Sequence, residues 1–336
     1  MPRSDSPKIK DLNRLTGGVF GLGGVFCREK SAALRAFRPG IKVKTIMISR
    51  NPTLCRCAFV LAAWLFVPAM PVQAAGRTPT PDKALDKTAA ALAAHRVVYK
   101  ISLKSSRAGN DSVTDAKGAM LYRFADVCDA WIVETNIFLK LTYADGGDVD
   151  ITWSFASQEA KDGLSYRFRM RHAPGQDAVE TLKGKATLGL AGGGSAKFTD
   201  QDAKLTTVKL PPGTLFPTRH LARVIEAGRG GTAFVADMLF DGSSLDNPYR
   251  VTASIGRAQS AAGSSPLFKD AGIEDASAWP VRLAFFPIKS KEATPEFELG
   301  VDYRADGLAA HITQDFGNFT LDMTPGEIEV LARPEC

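Results

Sequence analysis

The sequence predicts an all-β protein: an extended antiparallel sheet curled into an incomplete barrel, with one or two helices. Three observations predict it. Apolar and polar residues alternate with a period of two in roughly a dozen segments, which turns one side of each strand toward a core and the other toward water. The connections between successive segments are short and carry Gly, Asp or Asn, as in "RAGNDS", "ADGGD" and "AKDG", so neighbours are expected to pair as hairpins. About 245 residues follow residue 90, enough for one large all-β domain.

The segments run in order from residue 95. "HRVVYKISLK" (95–104) places Val97, Tyr99, Ile101 and Leu103 on one side, and "GAMLYRFADVC" (118–128) does the same with Met120, Tyr122 and Phe124. "AWIVETNIFLKLTYA" (130–144) is a long strand rich in β-branched and aromatic residues. "VDITWSFAS" (149–157) aligns Val149, Ile151, Trp153 and Phe155. In "LSYRFRMRH" (164–172), Leu164, Tyr166, Phe168 and Met170 oppose Ser165, Arg167, Arg169 and Arg171. The pattern returns after residue 195 in "AKFTD", "AKLTTVKL", "TAFVADMLFDG", "YRVTASIG", "VRLAFFPI", "EFELGVDYRADG", "AAHITQDFGNFTLDMT" and "EIEVLA".

One segment departs from strand spacing. In "LPPGTLFPTRHLARVIEAGRGG" (210–231), Thr218 can cap a helix over 217–228, Leu221, Val224 and Ile225 share a face, and Gly228 can end it. Such a helix either plugs a curved sheet or connects strands across its surface.

Ahead of the strands, residues 47–74 have the form of a secretory signal peptide. Arg50 and Arg56 precede an apolar run over 58–67, Pro68 and Pro71 break it, and Val72 and Ala74 supply the small residues before a cleavage between Ala74 and Ala75. The run is shorter than the roughly 20 residues of a membrane span. Residues 1–46 are basic and without periodicity, and are expected to be disordered and to lie ahead of the true start at Met47. Residues 75–90 are expected to be a flexible or weakly helical lead-in, and 91–336 a single domain. The expected location is the periplasm, as a soluble monomer.

Charge and cysteine content change once the leader is set aside. The whole chain has a net charge of +6, but residues 75–336 carry 30 Lys and Arg against 33 Asp and Glu. The basic character belongs to the leader, so nothing points to nucleic acid. Of five cysteines, Cys128 and Cys336 alone follow residue 74, and in an oxidising compartment two cysteines read as one disulfide. It would close a loop of about 209 residues, worth about 5 kcal/mol at most by chain-entropy arithmetic. The expected role is to fasten the last strand to an early one, at the open edge of the barrel.

At this point the residues resemble a known family. "LAAHRVVYKISL" (92–103), "VCDAW" (127–131), and "LPPGTLFPTRH" (210–220) followed by "DGSS" (241–244) resemble the EipB-like cell-envelope integrity proteins of Gram-negative bacteria, formerly a domain of unknown function. The resemblance spans roughly residues 90–336. It implies a β-spiral, a broad antiparallel sheet curled into an incomplete barrel, and a disulfide at the positions of Cys128 and Cys336. It also implies a part in envelope maintenance and stress resistance, with no established enzymatic activity.

Motifs for catalysis are missing from the sequence. The histidines, His95, His172, His220 and His311, show no i, i+4 pair and no zinc spacing, and there is no G-x-S-x-G or G-x-x-x-x-G-K. No cofactor and no metal are expected. His95 and His220 read as core polar groups or as ligand contacts. Asp241 reads as a turn residue with Gly242, or as half of an acid–base pair with Asp237. The Arg167, Arg169 and Arg171 stripe reads as a solvated face, or as a contact for anionic headgroups or an acidic partner. Three functions compete: a non-enzymatic envelope protein that binds another envelope protein, a carrier of lipid or another hydrophobic ligand, and, least favoured, a cell-wall hydrolase. A large apolar cavity would favour the carrier, and a filled core the protein-binding scaffold.

Overall fold

A computed structural model describes residues 83–109, 112–174, 179–189, 193–260, 266–273 and 276–336. The leader segments 1–46 and 47–74, and the Ala74/Ala75 cleavage site, lie outside the described residues. The chain runs α1 (Lys83–Ala90), β1 (His95–Ser106), β2 (Val113–Asp126), β3 (Ala130–Tyr143), β4 (Asp148–Ala160), β5 (Ser165–Pro174), β6 (Glu180–Leu188), β7 (Gly194–Asp200), β8 (Leu205–Leu210) and β9 (Thr214–Leu215). There follow α2 (Pro217–Arg229), β10 (Phe234–Leu239), β11 (Tyr249–Ile255), β12 (Gln259–Ser260), α3 (Pro266–Asp270), β13 (Ser277–Pro287), β14 (Phe297–Arg304), β15 (Ala309–Asp315) and β16 (Phe319–Val330).

All the strands belong to one sheet. Its order is β8-β7-β6-β5-β4-β3-β2-β1-β16-β15-β14-β13-β11-β10-β9, with β12 paired to β13. Every pairing is antiparallel except β9 with β10, which is parallel. The first half of the chain therefore builds one side of the sheet and the second half the other, and β1 and β16 join them in the middle. The two outermost strands, β8 and β9, are consecutive in sequence, separated only by Pro211, Pro212 and Gly213. Four Cα steps span at most about 14 Å, so the sheet curls until its edges nearly meet. This is an incomplete barrel with a seam at β8/β9.

Side chains close the seam where backbone ladders do not. Phe216 and Phe240, from the far side of the seam, pack on Tyr166, Phe168 and Phe198 with ring centroids 5.0–6.2 Å apart. Phe216 and Phe240 are fully buried. The Tyr166 hydroxyl also donates to the Asp241 carbonyl at 3.0 Å.

Three helices occur among the described residues, one more than expected. The second half of the lead-in is ordered as α1: Leu85 and Ala89 are buried in the cluster that also holds Ala222, Val224 and Ile225 of α2. α2 buries Val224 and Ile225 as its spacing predicts, with Leu221 only partly covered. Its ends differ from expectation. The N-cap is Phe216, Pro217 opens the first turn, and the helix runs one residue past Gly228 to a C-cap at Gly230. Gly228 has a packing role instead, because a Cβ there would lie 3.0 Å from the ring of Trp279.

Cys128 and Cys336 are bridged. The bridge is not at the open edge, and that expectation is corrected. β16 lies in the middle of the sheet beside β1, so the tail after Val330 crosses the end of β1, with Leu331 N–H donating to Ala94 O and the Arg333 guanidinium to Leu92 O. It then reaches Cys128 in the turn between β2 and β3. The disulfide straps one rim across β16, β1 and β2, far along the sheet order from the β8/β9 seam.

Candidate functional site

The inner sides of the strands do not fill the barrel. A cavity of about 300 Å³ remains between the sheet and the first turn of α2. β1 and β2 contribute Tyr99, Met120, Tyr122 and Phe124; β3 and β4 contribute Val133, Thr135, Trp153, Phe155 and Ser157. Leu299, Val301 and Tyr303 of β14 face them, with Ala309, Ile312 and Gln314 of β15, and Leu221 of α2 lies at the helix end. The wall is predominantly aliphatic and aromatic, which suits an apolar body with few polar attachment points.

Several polar side chains of this wall are engaged elsewhere, among them Tyr99, Tyr166, Asp241 and Ser243. The Tyr99 hydroxyl donates to Ala309 O at 2.8 Å. The Asp241 carboxylate is consumed by its own turn: Oδ1 accepts from Ser243 N–H, Ser243 Oγ and Asn247 Nδ2 at 2.7–2.9 Å. Burial raises the Asp241 pKa against the pull of these hydrogen bonds. Asp237 is not its partner; it pairs with Arg223 at 2.8 Å. Tyr122 and Tyr303 are both held neutral, with burial raising the first and pushing the second up to about 12. Gln314 is 1% exposed, and its side-chain carbonyl oxygen has no hydrogen-bond partner. A buried acceptor left unmade is costly, and here it belongs to a residue of the cavity wall.

Among the described residues the wall contains no Lys, Arg, His or Cys. The Ser243 hydroxyl is held by the Asp241 carboxylate at 2.7 Å. The chemistry on offer is shape, apolar contact and a limited number of hydrogen-bonding groups.

Behind the cavity lies Glu159 of β4, which is 2% exposed. Its two oxygens accept the backbone N–H groups of Thr218 and Arg219 at 2.7 and 3.0 Å. These are orphan donors at the start of α2, and the side chain of Thr218 does not cap them. Burial raises the Glu159 pKa to about 7, while the two hydrogen bonds pull it down. The helix end that borders the cavity is thus fixed by a carboxylate from the opposite half of the chain. Nothing local in the sequence marks Glu159 as a cap.

The sequence-derived candidates fall in separate places. His95 is buried at the start of β1, its Nδ1 2.7 Å from Ala93 O, and burial lowers its pKa. His220 is buried in α2, 3.9 Å from Asp237, and burial lowers its pKa to about 4. Neither lines the cavity. Arg167, Arg169 and Arg171 all project from the outer face of β5. Among the described residues no group of three or more His, Cys, Asp or Glu side chains is placed to hold a metal ion. No described helix is long and apolar enough to cross a membrane.

Comparison with known proteins gives a consistent picture. A family model described as EipB-like matches residues 86–332. The cell envelope integrity protein EipB of Brucella abortus (strain 2308) is 24% identical over 238 residues, covering 70% of this chain and 82% of that protein. The crystal structure of a β-barrel-like protein of a domain of unknown function, also from Brucella abortus, has a TM-score of 0.64 and 22% identity. That match covers 72% of this chain and 99% of the other, and it supports the fold.

Proposed function

The chain belongs to the EipB-like family, and from that premise we propose that it supports cell-envelope integrity from the periplasm by binding rather than by catalysis. The bound species is an amphiphile whose apolar part occupies the barrel cavity. The observation that carries this is the 300 Å³ space lined by aromatic and aliphatic side chains, with no acid–base pair and no cation among the described residues of its wall. Its volume sits at the lower end for small-ligand sites, about 300–1,000 Å³. That suits one chain or one ring system. A carboxylate head would meet no cation there, so the preferred head is neutral or donates hydrogen bonds.

The test is native mass spectrometry of protein isolated without detergent, followed by organic extraction. A bound neutral amphiphile is expected in the wild type, and it should be lost in Ala309→Phe, which fills the cavity from β15. Recovery of the wild-type protein with an empty cavity, in contact with its own envelope lipids, would overturn the carrier reading.

A second reading, binding of another envelope protein, has its own support. β9 covers β10 only at Met238 and Leu239, so residues 234–237 have no strand partner on that side among the described residues. Phe234 is 57% exposed there. An open edge with an exposed aromatic is a template for strand addition by a partner. Phe234→Lys should abolish capture of that partner and leave amphiphile binding intact.

A further inference from the structure

The outer face of the sheet over β5, β6 and β7 carries charge of a single sign. On β5, Arg167 and Arg169 are exposed while Tyr166, Phe168 and Met170 between and beside them are buried. Lys183 and Lys185 of β6 and Lys197 of β7 project from the same face. The register makes these cations direct cross-strand neighbours: Arg167 opposes Lys185, Arg169 opposes Lys183, and Lys185 opposes Lys197. Like charges in directly opposed positions destabilise a strand pair. Among the described residues none of the five has an ion-pair partner. Glu134, one strand beyond Ala156 in the same row, is already bound to Arg123 at 3.0 Å. The sheet thus concentrates repulsion here, although residues 75–336 as a whole are slightly acidic.

Two further features describe what fits. The cations surround a shallow, open depression of about 810 Å³, which Ala156 and the Gly184 backbone leave uncrowded. At its margin, in the row of Arg169 and Lys183, stands Leu205, 75% exposed. Long cationic side chains around an open surface, with one aliphatic side chain beside them, match a layer of phosphate headgroups over an apolar interior. A protein partner would require carboxylates at fixed spacings and a larger apolar anchor, whereas lipid headgroups move laterally to meet whatever spacing the strands set.

We propose that the β5–β7 face docks the protein on an anionic lipid surface, with Arg167, Arg169, Lys183, Lys185 and Lys197 over the phosphates and Leu205 at the headgroup level. This does not depend on what the cavity holds. The experiment is co-sedimentation of protein recovered from the periplasm with vesicles of two parts phosphatidylethanolamine to one part phosphatidylglycerol. The parent should partition to these vesicles and not to phosphatidylethanolamine mixed with phosphatidylcholine, and added salt should release it. Arg167→Gln/Arg169→Gln/Lys185→Gln should lower the partition coefficient by about a hundredfold, at roughly fivefold per cation near the surface. Lys87→Gln/Lys291→Gln, exposed cations outside this face, should leave it unchanged. The substituted positions on the face are exposed, so a matching thermal melt separates lost docking from lost fold. Equal partition of the parent and the triple variant would overturn the proposal, as would indifference of the parent to the anionic lipid, or binding of soluble polyglutamate in preference to the vesicles.

Discussion

The Glu159 carboxylate accepts the backbone N–H of Thr218 at 2.7 Å across 59 residues of sequence. Helix caps are ordinarily local, supplied by the residue just before the first turn. Here a strand of the first half of the chain caps the helix that opens the second half. The contact therefore does two things at once: it satisfies two orphan donors, and it ties α2 across the seam where the sheet edges fail to pair.

Removing this cap should be expensive. Glu159→Ala leaves the Thr218 and Arg219 donors buried without partners, each costing about 1–3 kcal/mol. A loss of about 3 kcal/mol in urea unfolding is expected, with the fold retained. A change under 1 kcal/mol would show that water replaces the carboxylate freely.

The same residue sets a pH dependence. Glu159 holds its proton up to about pH 7 in the folded chain, against an ordinary value of 4.5. Between those values the folded state binds more protons, so the contribution of Glu159 is fully present below about pH 4.5 and falls as pH rises through 7, by about 3 kcal/mol. His172 and His220 act in the opposite sense: burial lowers both to about 4 from 6.5, so their contribution is lost as pH falls through that window. The stability of wild type relative to Glu159→Gln should accordingly be greater at pH 5 than at pH 7.5. Urea titrations of both proteins at the two pH values measure it, and a reversed order would mean that ionised Glu159 is the favoured form.

Val224 is 1% exposed on the inner face of α2. Val224→Asp would bury an unpaired charge, and a loss of several kcal/mol is expected. An unchanged melting temperature would place that helix face in solvent.

Cys336→Ser should leave a folded barrel, since the β1–β16 ladder remains. Stability under oxidising conditions should fall by about 2–5 kcal/mol, and proteolysis should begin in residues 331–336. Equal stability with and without the bridge would remove its structural role.

Gln314→Leu should separate stability from binding. It deletes a buried acceptor that lacks a partner, so the empty protein should gain about 1 kcal/mol. Affinity for hydroxyl-bearing amphiphiles should drop while that for plain hydrocarbon chains holds. Loss of both stability and all binding would assign Gln314 to the core.

Much of the fold is written locally. In β1 to β5 the apolar side of each strand is large and β-branched or aromatic, so the period of two stands out. β6 escapes notice because its inner side reads Leu182, Gly184, Ala186 and Leu188. Gly184 is required there, since a Cβ would lie 2.6 Å from the Phe168 ring and 2.2 Å from the Lys197 carbonyl oxygen. The cavity is hidden for a related reason: Tyr99, Tyr122 and Tyr303 occupy ordinary inward positions, and alternation cannot tell a tyrosine facing a core from one facing a void. The place of the disulfide depends on which strand lies beside β16, and the Glu159 cap on a contact 59 residues long. Neither is a local property. The parallel β9–β10 pairing likewise follows from the sheet returning on itself, not from any turn signal.

The pairing of His95 with Val330 makes the first strand of the sheet wait for the last. As the chain emerges from its N-terminal end, β1 to β8 can assemble in succession by hairpins, but one flank of β1 stays bare until β16 arrives. That flank is a sticky template for other unfinished chains during the interval. Closing segments more than two hundred residues apart costs chain entropy, and this closure is expected to slow folding. A holding factor for the half-made sheet, or rapid delivery of the final strand, would govern yield more than the stability of the finished barrel.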